Sequence, residues 1–485
     1  CQSLLNFESD LVIAGGVSIT FPLKAGYLFE AGMIFSSDGI CRAFDTNANG
    51  TVAGNGAGIV ILKRAKEAFK DKDNIYSIIK GFAINNDGRR KAGFSAPSVA
   101  SQTEVINMAL NMANIVPNQI TYIETHGTGT SLGDMIEITA LNEVYQSALT
   151  YKQQKIALSS VKPNIGHLDV ASGIAGLIKA VFALKTRTLP PTINFKIPNP
   201  YLNIEDTPFY VNTDVLPWLS YQSPLYAGVS SFGLGGTNVH LILQEAINFL
   251  NEKPQLPTFE LLILSARNES ALKKYRKTLA NYLTTNSNLN LADVAFTLQV
   301  GRKDCEYRYA CICTSLEEAI ISLNDDNFSS IELDISKVDF DKKIYYQLSS
   351  LAENWLNGHD IDWQKELYSF QRSPLARIPL PTYPFSRREF FFTKLDDTVL
   401  KKQHDYTNLH ENIDEIINAI FCKFLGITQV GRNDNFFEIG GDSLVALQTI
   451  SAINQYFNIT LPVDILVQYP SLTMLINFIK EKTKK

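Results

Sequence analysis

Apolar positions along the chain follow two periods, and the places where one gives way to the other divide it. From Cys1 to about Asn248, short apolar runs set among glycines, such as Gly58 to Leu62 and Tyr76 to Ile84, alternate with helical stretches such as Ser101 to Ala113. Strands alternating with helices predict an α/β layer structure. The longest apolar run, Val170 to Leu184, is interrupted by Lys179 and is too short to span a bilayer, so it predicts a buried helix. Pro254 and Pro257 mark a linker before a second, smaller α/β pattern. There a strand is expected over Leu261 to Ser265, with helices over Glu269 to Leu283 and Leu291 to Gln299.

Beyond the polar stretch from Asp325 to Ser330, the segment to Phe392 carries many aromatics and prolines and few periodic elements, which predicts an extended, wrapping linker. The charged run from Leu395 to His410 predicts a flexible connector. The last segment turns helical: Ile413, Ile416, Ile417, Ile420, Phe421 and Phe424 form one stripe, and Leu472, Leu475, Ile476 and Ile479 form another behind a Ser471 cap. Between them Ser443 opens a helix carrying Leu444, Leu447 and Ile450, and such stripes bury together as a small bundle. A length of 485 residues agrees with roughly three units at about 150 residues each.

Composition narrows the field. With 45% hydrophobic and 19% charged residues the chain can build large cores, and wholesale disorder is excluded. A net charge of −5 with scattered lysines and arginines argues against nucleic acid and anionic membrane as partners. Six cysteines without a CxxC pair match neither a disulfide framework nor a zinc site, and a reducing cytoplasm is the expected location. The opening CQSLLNFESDLVIAGG has no basic leader and starts as if within a helix, so the chain is expected to be truncated at its start.

Candidate chemistry concentrates in four motifs. In DNFFEIGGDSL, Asp434 to Leu444, two glycines and an aspartate precede Ser443, a tight turn that leaves a hydroxyl open to modification. A phosphodiester there would sit at a helix N-terminus, where free N–H groups favour negative charge. The segment from about Asn412 to Lys480 resembles an acyl or peptidyl carrier domain, and the resemblance implies 4'-phosphopantetheine on Ser443. His126 in THGTGTSLGD and His167 in SVKPNIGH, together with Lys162 and the Gly-rich GVSSFGLGGTNVH, suggest carbonyl chemistry. Imidazoles can stabilise charge developing on a thioester oxygen, and glycines let backbone N–H groups reach an oxyanion. AGNGAG, Ala53 to Gly58, lacks the helix and carboxylate of a dinucleotide loop. His126, His167 and His240 lack zinc-site spacing, so no metal is expected and His240 is assigned to the core.

Together the three Gly-rich motifs resemble the ketosynthase of a modular polyketide synthase, from Cys1 to about Ala246, with FDTNANGTVAGNGAG, INNDGRRKAGFSAPS, LPPTINF and PFYVNT in support. The resemblance implies a layered αβαβα thiolase-like fold, N-terminally incomplete, over residues 1–248. It further implies a small α/β linker subdomain over 249–332, an extended post-acyltransferase linker over 333–396, a flexible linker over 397–410 and a four-helix carrier bundle over 411–485. Carried over by position, His126 and His167 would polarise a malonyl thioester during decarboxylation, with Lys162 and its salt-bridge partner Glu137 orienting them. Thr128 and Thr130 would hold the pantetheine arm, the Leu234 N–H would serve an oxyanion hole, and Phe232 would line the pocket. Met135 replaces the family's usual proline.

The family's nucleophilic TACSSS-type cysteine does not occur here, and Cys1 matches a later, non-catalytic position on the same helix, so the chain alone is expected not to condense substrates. The alternative is a carrier and docking scaffold with a silent ketosynthase. Tyr383 and Phe385 are expected to be apolar anchors, and no GxSxG elbow of an acyltransferase lies between the linker elements. Expected partners are therefore a malonyl-type extender on a carrier, a trans-acting acyltransferase, a phosphopantetheinyl transferase and neighbouring synthase modules. A homodimer through the ketosynthase is also expected, with burial left incomplete and aggregation favoured in the isolated chain.

Overall fold

The computed structural model describes residues 1–21, 26–30, 33–91, 97–146, 155–219, 223–246, 259–325, 342–368, 375–385, 413–425, 427, 429–441, 443–457, 459–462 and 465–483. The proline linker at Pro254 and Pro257 and the charged run from Leu395 to His410 lie outside these residues. Cys1–Ser386 and Arg387–Lys485 form two compact units.

The first unit opens with α1 (Gln2–Leu5) and the strands β1 (Leu11–Ser18) and β2 (Gly56–Lys63), followed by α2 (Ala65–Lys70), β3 (Ser77–Asn86) and α3 (Val99–Ala113). Next come β4 (Ile120–Glu124), α4 (Ser131–Tyr145), β5 (Ile156–Ser159), α5 (Lys162–Ile165) and α6 (Ser172–Thr186). The chain continues through β6 (Thr188–Leu189), β7 (Phe209–Val211), β8 (Leu216–Pro217), β9 (Tyr226–Phe232) and β10 (Thr237–Glu245). Six strands make one mixed sheet in the order β3-β10-β9-β4-β5-β7. β3, β10 and β9 pair antiparallel, while β9, β4, β5 and β7 run parallel. All five residues of β4 are buried, as expected of a central strand covered on both faces.

Helices α3 and α4 cover one face of this sheet with the core of Val105, Ile106, Ile138 and Leu141. Helix α6 covers the other through Leu177, Ala180 and Leu184, and its opposite side meets the antiparallel pair β1–β2. The layers thus run helix, sheet, helix, sheet. Along β1 and β2 exposure alternates, and Ile13, Val17, Ile59 and Ile61 are open to solvent on the outer face.

A second subdomain of this unit pairs β11 (Glu260–Ala266) with β12 (Tyr307–Cys313). Around them pack α7 (Glu269–Thr285), α8 (Leu291–Val300), α9 (Leu316–Asn324), α10 (Lys342–Leu356) and α11 (Trp363–Tyr368). Here the extended-linker expectation needs correcting. Tyr345, Leu348, Ala352 and Trp355 of α10 fall at helical spacing and are all buried, so an amphipathic helix forms where a strap was expected. Residues 375–385 are irregular, as expected, and Leu375 and Leu380 are buried. Tyr383 is an anchor: its hydroxyl oxygen accepts the Arg267 N–H at 3.1 Å and its ring stands edge-on to Tyr275. Phe385 is not, being 73% exposed.

The second unit holds four helices among its described residues, Ile413–Leu425, Ser443–Phe457, Ile465–Gln468 and Leu472–Thr483. Their stripes meet around Ile417, Phe421, Phe436, Ile453 and Leu475. The Ser471 cap is present, its hydroxyl oxygen accepting the Met474 N–H at 3.4 Å.

Candidate active site

Two chain reversals bring His126 and His167 together. His126 follows β4 directly, and Gly127 and Gly129, at φ +38° and +74°, turn the chain back toward α4. His167 follows α5, where Gly166 sits at φ 77° and ψ 179°, a region open in practice to glycine alone. The AGNGAG run has its role at this point: the Gly54 N–H donates to the His167 carbonyl at 3.0 Å, and the His167 N–H donates to the Val52 carbonyl at 2.7 Å. A Cβ on Gly166 would lie 2.9 Å from the Val52 oxygen. Gly166→Ala is therefore expected to cost about 3 kcal/mol in denaturant melts and to displace His167.

The imidazole rings stand edge to face with centroids 5.9 Å apart, and the Phe232 ring lies 5.7 Å from His126. Each ring has its Nδ1 occupied as an acceptor. Nδ1 of His126 accepts the Phe232 N–H at 3.3 Å, with Lys162 Nζ 3.4 Å away. Nδ1 of His167 accepts the Asp169 N–H at 2.9 Å and lies 3.0 Å from Ser172 Oγ. A backbone N–H can only donate, so in the neutral rings both protons sit on Nε2. Neutrality is enforced by burial, which pushes His126 well below the usual histidine range and His167 down to about 4, with the Lys162 charge adding to both shifts. The site therefore offers two adjacent Nε2–H donors.

Supporting groups depart from expectation in one respect. Glu137 makes no ion pair with Lys162 among the described residues. Its carboxylate instead accepts the His126 and Gly127 N–H groups at 2.7 and 2.8 Å, bracing the turn behind the imidazole. Burial raises the Glu137 pKa while these two N–H groups pull it down. Lys162 Nζ donates to the His126 carbonyl. Burial lowers its pKa, and the charges of Glu137 and Glu124 oppose that shift. Thr128 and Thr130 pair their hydroxyls at 2.9 Å beside the same turn. Leu234 is 52% exposed; its carbonyl accepts Lys91 Nζ at 2.7 Å, whereas no protein acceptor is described for its N–H.

Sequence reasoning missed Asp134, Asp169 and Ser172. Asp134 bridges the Phe44 and Gly129 N–H groups at 2.7 and 3.1 Å, and burial raises its pKa to about 7 against those bonds. The Asp169 N–H and the Ser172 hydroxyl, at the start of α6, hold His167, a contact that the sequence does not signal. His240 is a core residue as expected, fully buried with Nδ1 3.0 Å from Ser230 Oγ. Cys41 is buried near Thr128, and desolvation pushes its thiol up to about 11.

In the second unit Ser443 is the first residue of its helix. The loop ahead of it turns at Gly440, φ +108°, and a Cβ on Gly441 would strike the Phe436 ring at 2.3 Å. A glycine pair before a serine-led helix start fits the attachment of a bulky arm.

The first unit thus combines layered sheets with paired imidazoles, and the second is a helical bundle with a serine at a helix start. Residues 1–68 match the beta-ketoacyl synthase N-terminal domain, 76–196 its C-terminal domain, 260–323 a CurL-like polyketide synthase C-terminal family and 415–479 a phosphopantetheine attachment site. Polyketide synthase PksL of Bacillus subtilis is 40% identical over 418 residues, 80% of this chain and 9% of PksL. The module 6 ketosynthase of the bacillaene synthase from B. subtilis aligns with TM-score 0.68 and 38% identity over 81% of this chain and 72% of that one. Ketosynthase twelve of the bacillaene synthase in Bacillus amyloliquefaciens aligns with TM-score 0.70 and 38% identity over 80% and 69%. The chain belongs to the ketosynthases of modular polyketide synthases, with a carrier domain that takes a covalent 4'-phosphopantetheine. It spans less than a tenth of the length of PksL. Among the described residues no helix is long and apolar enough to cross a membrane.

Proposed function

We propose that this chain supplies the decarboxylating histidines of an elongating ketosynthase and carries the acyl chain on phosphopantetheinylated Ser443. His126 and His167 donate Nε2–H to the thioester oxygen of a malonyl unit. The bond to the carboxylate breaks, carbon dioxide leaves, and the electron pair becomes an enolate whose oxygen the two donors stabilise. Condensation would follow where the enolate carbon attacks an acyl thioester on a nucleophilic cysteine, which this chain's motifs do not supply, forming the carbon–carbon bond as that thiolate departs, with the Leu234 N–H as an oxyanion donor. Thr128 and Thr130 hold the pantetheine arm, and Phe232 walls the pocket. Cys41 does not serve as the acyl-accepting thiolate, because at a pKa of about 11 it stays protonated.

The observation that carries this assignment is the backbone N–H donated to Nδ1 of each ring, by Phe232 to His126 and by Asp169 to His167, which leaves the proton of each neutral ring on Nε2. Decarboxylation of malonyl-pantetheine tests it, with release of carbon dioxide and acetyl-pantetheine as the expected result. Release no faster than in buffer would overturn it.

The linker sequence has no acyltransferase elbow, which supports extender loading by an acyltransferase acting in trans. Similarity to synthase modules supports neighbouring modules, a homodimer through the ketosynthase and a cytoplasmic location.

A further inference from the structure

We infer that Glu124 and Lys179 form a positioning pair that sets the electrostatics and placement of both site histidines without touching substrate. The inference rests on the assignment of His126 and His167 above. Glu124 ends β4, two residues before His126, and its side chain is 1% exposed. Its Oε1 accepts the Val161 N–H at 2.7 Å, the residue immediately before Lys162. Its Oε2 accepts the Tyr122 hydroxyl at 2.6 Å and lies 2.9 Å from Lys179 Nζ. Lys179 Nζ also donates to Ser159 Oγ at 2.7 Å, at the end of β5. Ser159 in turn meets the THGTGT turn, its carbonyl accepting the Thr125 N–H at 2.8 Å.

One ammonium therefore joins three elements: β4, which delivers His126; β5, which leads into the Lys162 loop; and α6, whose Ser172 holds His167. Gly176, one turn before Lys179, allows this approach, since a Cβ there would lie 3.3 Å from Glu124 Cγ. A lysine in the middle of the apolar run of α6 has a cost unless it is paired, and pairing neutralises a carboxylate that would otherwise act on the imidazoles through low-dielectric protein. The charge of Lys162 acts on both rings and that of Asp169 on His167, while Glu137, Glu124 and Asp134 act on Lys162 and so reach the rings through it. Removal of Lys179 leaves Glu124 with only neutral hydrogen-bond donors, Tyr122 and the Val161 N–H.

The test is NMR of histidine labelled at Cε1 in the full chain, titrated with pH, for wild type, Lys179→Met, Lys179→Arg and the Glu124→Gln/Lys179→Met double variant. In Lys179→Met the His126 and His167 signals are expected to move and their midpoints to rise by about one pH unit, because the bare Glu124 carboxylate favours imidazolium. His359, in the other subdomain, should not change. Arginine should restore the wild-type midpoints. The double variant, which buries no unpaired charge and folds if the single one does not, should restore the midpoints while the shifts stay displaced. The same lysine substitution should lower kcat for malonyl-pantetheine roughly tenfold or more with little change in KM. His126 and His167 titration curves unchanged in folded Lys179→Met, or in the double variant shifts identical to wild type, would overturn the inference. Absence of decarboxylation by wild type would count against the assignment of the histidines instead, and the titration decides the positioning role either way.

Discussion

His167→Ala is expected to lower malonyl-pantetheine decarboxylation by roughly 10²–10⁴-fold, and His126→Ala by a similar factor. In the proposed mechanism each ring contributes one Nε2–H to the same developing oxyanion, and neither donor can be replaced by a neighbour. Lys162 Nζ already donates to the His126 carbonyl, and Ser172 Oγ is engaged at His167 Nδ1. The pH dependence carries the same signature. His167 titrates at about 4 in the folded chain, so turnover should stay level well below the ordinary histidine range and fall only near that value. For stability the sign is fixed by proton uptake. Between about 6.5 and 4 the unfolded chain binds a proton at this position and the folded chain does not, so the contribution of His167 to stability is present above 6.5 and lost as the pH falls. Asp134, raised to about 7, works in the opposite direction, which is why the difference between wild type and His167→Ala isolates the histidine. The variant should show a shallower decline in melting temperature from pH 7 to 4. Wild-type turnover in either alanine variant, or an acid limb near 6.5, would refute the paired-donor mechanism.

Much of this arrangement was legible in the chain itself, and what escaped did so for physical reasons. The α/β alternation, the buried helix around Val170 to Leu184 and the carrier stripes came from periodicity; α6 lies within two residues of its expected range, and carrier helices begin at Ile413, Ser443 and Leu472 as the stripes require. Helix α10 has a clean amphipathic stripe in Tyr345, Leu348, Ala352 and Trp355, but it sits in a segment whose many aromatics and prolines resemble those of an irregular strap. Glu137 was paired with Lys162 by the family resemblance. In the fold its carboxylate lies closer to two backbone donors than to any cation, a competition that sequence cannot display. Lys179 was noticed only as an interruption of an apolar run. A charged residue inside a buried stripe demands a partner, and only the fold shows that the partner is the acid that ends β4. The pairing of β1 with β2 was not legible: both strands are apolar on each face, and only the fold shows that the face with Ile13 and Ile61 stands open to solvent.

Ser443→Ala should leave the carrier folded and abolish its loading. Incubation with coenzyme A and a broad phosphopantetheinyl transferase is expected to add one phosphopantetheine to the wild-type chain, mapped by mass to the Ser443 peptide, and none to the variant. Ser443 begins its helix, where alanine is tolerated, so thermal stability of this unit should change by no more than about 0.5 kcal/mol. A second variant separates loss of the hydroxyl from loss of the fold. Phe436 is fully buried, its ring 5.2 Å from that of Phe421 and packed beneath Gly441, so Phe436→Ala should cost about 3–5 kcal/mol and depress loading through unfolding. Lowering the temperature should therefore restore loading in Phe436→Ala but not in Ser443→Ala. An arm on any other residue, or loading that survives in Ser443→Ala, would remove Ser443 as the attachment point while leaving the bundle as it is described.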